Sequence, residues 1–130
     1  MKEKLSLLTE LIKLARCDHK LREKEYNFIR IIAERLGVSQ ADFDSLFNQY
    51  IEFTPPISEF ERILQFHRLV LLMNIDREVS DKELQMVREL GIRMGLNPLA
   101  TEKVLSEMYK YPDKIMPPDR LIEIYKEQFN

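Results

Sequence analysis

The feature that most constrains this chain is an echo of itself at an offset of 58 residues. Residues 8–50 lie on residues 66–108 without a gap, and eight of the 43 aligned pairs are identical. They are Leu11/Leu69, Leu14/Leu72, Asp18/Asp76, Lys24/Lys82, Glu25/Glu83, Arg30/Arg88, Arg35/Arg93 and Gly37/Gly95. Apolar pairs mostly exchange like for like, as in Ile29/Val87, Ile32/Leu90 and Leu46/Val104. Any two amphipathic helices would share some apolar positions. They would less readily share a corner, a Gly stop and a following helix in one register. A unit of helix, acidic corner, helix and helix, used twice, predicts a pseudo-twofold bundle. Two copies are too few for a solenoid.

Helical periodicity runs through both halves. Leu8, Leu11, Ile12 and Ala15 make one stripe of a first helix over about residues 3–17. Glu23 and Glu25 favour the positive end of a second helix, about 22–36, with Phe28, Ile29, Ile32, Ala33 and Leu36 inward. Gly37 stops it, and Ser39 caps a third helix over about 40–52, with Phe43, Leu46, Phe47 and Tyr50 inward. Pro55 and Pro56 cannot donate backbone hydrogen bonds, so residues 54–57 read as a hinge. Ser58 and Glu61 open a fourth helix as a capping box, and its end at Leu69-Val70-Leu71-Leu72-Met73 is apolar on every side. Ser80 and Glu83 repeat the box for a fifth helix with Leu84, Val87, Leu90 and Gly91 inward, which Gly95 stops. Asn97-Pro98 starts a sixth, and a seventh follows Pro117-Pro118. The expectation is an all-α, single-domain bundle of about seven helices spanning residues 1–130. Its parts are a first repeat at about 5–53, a second at about 58–111, and a C-terminal helix at about 118–129.

Charge and cysteine content narrow the function classes. Twenty basic and 22 acidic residues leave a net charge of −2, and the two signs are interspersed, so nucleic acid is not an expected partner. Cys17 is the lone cysteine, which excludes an intramolecular disulfide and points to a reducing, cytoplasmic setting. Charges at Glu10, Lys13 and Arg16 break the early apolar positions, so neither a signal peptide nor a membrane span is expected. No Gly-rich phosphate loop and no Ser/His/Asp or Cys/His arrangement is recognisable, so no catalytic or cofactor-binding residue is assigned.

The acidic corners carry the remaining chemistry. Asp76, Glu78, Asp81 and Glu83 place four carboxylates within eight residues, and Asp18, Glu23 and Glu25 form a weaker copy among Lys20, Arg22 and Lys24. Hard cations such as Ca²⁺, Mn²⁺ or Mg²⁺ take several converging oxygens, and these seven acids are the candidate ligands. The spacing is not that of an EF-hand, which needs alternating acids, a central Gly and a distal Glu. Helix physics alone offers the competing account. Ser80 and Glu83 cap a helix, Asp81 complements its dipole, and Asp76 closes the turn. Cys17, Asp18 and His19 cannot build a closed zinc site, since the chain has one Cys and two His. His19 is therefore expected exposed at a capped helix end, and His67 as a hydrogen-bonded core or boundary residue.

Both halves fit the pattern D-x-x-[LV]-x-[DE]-x-E, as Asp18/Leu21/Glu23/Glu25 and Asp76/Val79/Asp81/Glu83. Each then ends a helix in [LM]-G-[LV], as Leu36-Gly37-Val38 and Met94-Gly95-Leu96. Over roughly residues 5–110 this resembles the tellurite-resistance TerB-like family, whose relatives occur in membrane-anchored J-domain co-chaperones. Where that family usually places Gly after the corner Asp, this chain has His19 and Arg77. The resemblance implies a compact helical bundle, a cytoplasmic location, divalent-cation binding and a stress-related, non-enzymatic role.

A different class of function rests on aromatic surface. Phe47, Tyr50, Ile51 and Phe53 gather before the prolines, and Tyr109, Tyr111, Ile115 and Met116 gather near the C-terminus. Most of these are expected in the core. Any that are exposed would favour a homodimer or a protein partner, with the acidic corners serving only as helix caps.

Overall fold

The computed structural model describes residues 1–49, 51–75 and 78–127. Among these the chain is all-α, with seven α-helices and two short 3₁₀ turns. It divides into two compact units, Met1–Pro55 and Pro56–Asn130.

The first unit holds α1 (Lys2–Ala15), α2 (Glu23–Arg35) and α3 (Gln40–Ser45). The predicted stripe on α1 is buried, with Leu8 and Leu11 fully so. Ser6 Oγ also ties α1 to the end of the unit by accepting the Thr54 N–H at 3.1 Å. α1 packs on α2, and the α2–α3 seam is filled by rings. Tyr26 and Phe43 lie 5.7 Å apart, and Phe43 meets Phe47 edge-on at 5.4 Å.

α3 ends at Ser45, seven residues before the predicted limit. Beyond it the Leu46, Phe47 and Asn48 amides all donate to carbonyls three residues back, so the chain tightens instead of continuing. Phe47 is consequently half-buried at the edge of the ring cluster, not fully inward. Tyr50 lies outside the described residues.

The second unit holds α4 (Glu59–Met73), α5 (Asp81–Arg93), α6 (Pro98–Glu107) and α7 (Pro118–Glu127). Each N-cap residue read from sequence in this unit accepts a helix amide, although Ser58–Glu61 forms only half of the predicted box. Ser58 Oγ accepts the Glu61 N–H at 3.2 Å, and Asn97 Oδ1 accepts the Leu99 and Ala100 N–H groups at 2.9 and 3.2 Å. α4 packs on α5 and α7, and α6 also packs on both, so the four helices close a ring. Its centre is aromatic. Phe66 of α4 meets Tyr125 of α7 edge-on at 6.3 Å, and Tyr125 Oη is 2.8 Å from Thr101 Oγ1 of α6.

Two α4 side chains hold the segment that leads into α7. His67 Nε2 donates to the Met116 carbonyl at 2.7 Å, and Asn74 Nδ2 to the Lys114 carbonyl at 3.1 Å. His67 is half-buried, as expected of a boundary histidine. Burial holds its pKa below the usual value, opposed by the bond to Met116 and aided by Arg68.

Candidate functional site: the acidic corners

The two corners join α1 to α2 and α4 to α5. Glu25 and Glu83 are the third residues of their helices, where a carboxylate can fold back onto the chain entering the helix. Both do so. Glu25 Oε1 accepts the Arg22 N–H at 3.0 Å, and Glu83 Oε1 accepts the Ser80 N–H at 3.0 Å. Burial is nearly complete, with 1% of Glu25 and 3% of Glu83 exposed.

The first residue of each pair differs. Ser80 Oγ returns the bond by accepting the Glu83 N–H at 3.0 Å. Arg22 has no side-chain acceptor and cannot return it. Sequence reading named Ser80–Glu83 as a capping box but not Arg22–Glu25, because arginine gives no capping signal. In the first corner His19 takes part as well. It is half-buried rather than exposed, with Nδ1 2.8 Å from the Lys20 carbonyl and 3.9 Å from Glu25 Oε1.

The other candidate ligands do not gather around these two acids. Asp18, Glu23, Glu78 and Asp81 are exposed, and Asp76 lies outside the described residues with Arg77. Among the described residues, no three His, Cys, Asp or Glu side chains stand close enough to share an ion. Cys17 is half-buried and forms no disulfide. One polar atom near the second corner is unspent. Asn74 is 4% exposed, and among the described residues its Oδ1 has no hydrogen-bond partner although its Nδ2 is bonded.

Sequence reasoning also passed over charged side chains on the second unit. Arg30 and Arg88 occupy equivalent places in the echo but use different partners. Arg30 stays on its own helix at Glu34, 3.1 Å away, while Arg88 crosses from α5 to Glu102 of α6 at 2.8 Å. Arg120 of α7 holds Glu107 of α6 through two bonds, 2.7 and 2.8 Å long, which keep the Glu107 carboxyl below the usual carboxylate range. Only tertiary packing brings Arg88 to Glu102 and Arg120 to Glu107, so no local pattern announces those two pairs.

Residues 1–48 match the family model described as Tellurite resistance protein TerB. Over that stretch the chain is similar to TerB. The matched stretch covers α1, the first corner, α2 and α3. No curated protein and no solved structure matches the chain significantly. No described helix is long and apolar enough to cross a membrane.

Proposed function

We propose that this TerB-like chain is a non-enzymatic, cytoplasmic helical domain that serves tellurite or related stress resistance through protein contacts. On this reading the acidic corners are helix-start devices. The observation that carries it is the inward turn of Glu25 and Glu83, each committed to the backbone N–H of its own N-cap. A buried carboxylate used this way has given up much of its freedom to coordinate an ion. Exposed apolar side chains support a partner-binding role, with Ile57 93% exposed and Phe60 52%. We also read the two units as one structural unit used twice. α2 and α5 have the same length and the same echo offset, and Gly37 and Gly95 both have positive φ.

Thermal unfolding in chelator, and then with Ca²⁺, Mn²⁺, Mg²⁺ or Zn²⁺, tests the capping reading. No cation-dependent shift is expected. A stabilisation near 2.7 kcal/mol, roughly that of an ion at a hundredfold over its dissociation constant, would overturn it.

A divalent cation at the second corner is the competing reading, favoured by the unpartnered, buried Asn74 Oδ1 two residues before Asp76. The exposed carboxylates of Glu78 and Asp81 follow closely in the chain. A cation shift seen in the parent and lost in Asp76→Asn would establish that reading in place of the first.

A further inference from the structure

The second unit carries a crevice of about 540 Å³ between α5 and α6, within the size range of small-molecule sites. Leu84 and Leu105 form its apolar wall, and Tyr109, 57% exposed, stands at one end. An apolar hollow of about 160 Å³ lies beyond Arg88, beside Ile92 and Pro98. Arg88 lines both spaces.

The charges of the wall select the sign of a ligand. Glu102 uses both carboxylate oxygens on Arg88 Nε, at 2.8 and 2.9 Å. Among the described residues, neither terminal nitrogen of Arg88 meets an acceptor. Lys103 also lines the crevice, and its counter-ion Glu127, 3.0 Å away, does not. Lys114 Nζ adds a cation 5.8 Å from the Tyr109 ring centre. The lining itself carries two cations, Arg88 and Lys103, against the one carboxylate of Glu102, with Glu127 compensating Lys103 from outside it. Ser106 places a hydroxyl in the same wall. A bare inorganic anion would leave the leucine wall wet, and a neutral apolar molecule would leave the Arg88 donors unused.

We propose that the α5–α6 crevice binds a small organic anion with an apolar body, the acid on Arg88 and the body on Leu84, Leu105 and Tyr109. The proposal is independent of what the acidic corners do. Its test titrates the full chain with sodium octanoate, octylammonium chloride and 1-octanol, each below its aggregation concentration. Backbone amide NMR shifts and calorimetry are the readouts.

Octanoate is expected to move the Arg88, Lys103, Ser106 and Tyr109 amides saturably. Octanol should bind about tenfold more weakly, and octylammonium more weakly still. Arg88→Gln should weaken octanoate about tenfold and leave octanol unchanged, while Glu25→Gln should alter neither. Equal binding of octylammonium and octanoate, shifts that map elsewhere, or full octanoate affinity in Arg88→Gln would overturn the proposal. The ligand-sign comparison on the parent stands even if Arg88→Gln folds poorly.

Discussion

In the first unit Arg22 precedes α2 and in the second Ser80 precedes α5, yet Glu25 and Glu83 bend back to the same backbone position. What the two corners share is the buried acid three residues into the helix; the capping hydroxyl is present in one and missing in the other. The Glu25 carboxylate folds back even without a capping hydroxyl, so the acid by itself closes the turn into α2. The units differ again beyond their third helices. The second continues through two 3₁₀ turns into α7, which brings Tyr125 against Phe66 and Thr101. Among its described residues the first has no further helix, and its Tyr26–Phe43–Phe47 cluster stays partly open.

The largest expected effect tests that second difference. Tyr125→Ala removes a fully buried ring and the partner of Thr101, and should cost about 3–5 kcal/mol in chemical denaturation. Tyr26→Ala in the half-open cluster should cost clearly less. Comparable losses would mean that the two aromatic centres are equally built.

The glycine stops should behave alike. Gly37 and Gly95 have φ of 76° and 74°, and a Cβ at either would meet nothing within 4 Å. Alanine at each should therefore cost only the left-handed backbone penalty, about 1 kcal/mol. Unequal costs would show that the two helix ends are not equivalent.

The caps should be asymmetric by a similar or smaller amount. Ser80→Ala should lose about 1 kcal/mol, whereas Arg22→Ser should gain up to about 1 kcal/mol by completing the box with Glu25. A destabilised Arg22→Ser would show that the arginine contributes more than its backbone N–H.

The smallest effect is a pH dependence confined to the second unit. Because the folded His67 pKa lies below its unfolded value near 6.5, the unfolded chain takes up the proton first. The contribution is present above about pH 6.5 and declines as pH falls toward the folded value. His67→Gln should flatten that part of the stability–pH curve measured by denaturant titration.

Much of this was legible in the chain because it depends on local chemistry. Ser39, Ser58, Ser80 and Asn97 announce helix starts, and Gly37 and Gly95 announce left-handed stops. Where α3 ends was not legible. Phe47 and Tyr50 keep a helical period past Ser45, and no Gly or Pro marks the stop. The corner acids were legible as a group but not in their division of labour. Side-chain direction at the third helical position turns Glu25 and Glu83 inward, while Asp18, Glu23, Glu78 and Asp81 stay in solvent. The Arg88 crevice was invisible, since it exists only where α5 and α6 pack.

The buried acid of the second corner offers the most direct test of whether the corners are joints or ion sites. The unfolding free energy of Glu83→Ala should be compared with the parent, once in chelator and once in saturating Ca²⁺. Loss of the charge-assisted bond to the Ser80 N–H should cost about 1.5–3 kcal/mol, by the same amount in both conditions. A loss that appears only with Ca²⁺ present would contradict the account and make Glu83 a ligand.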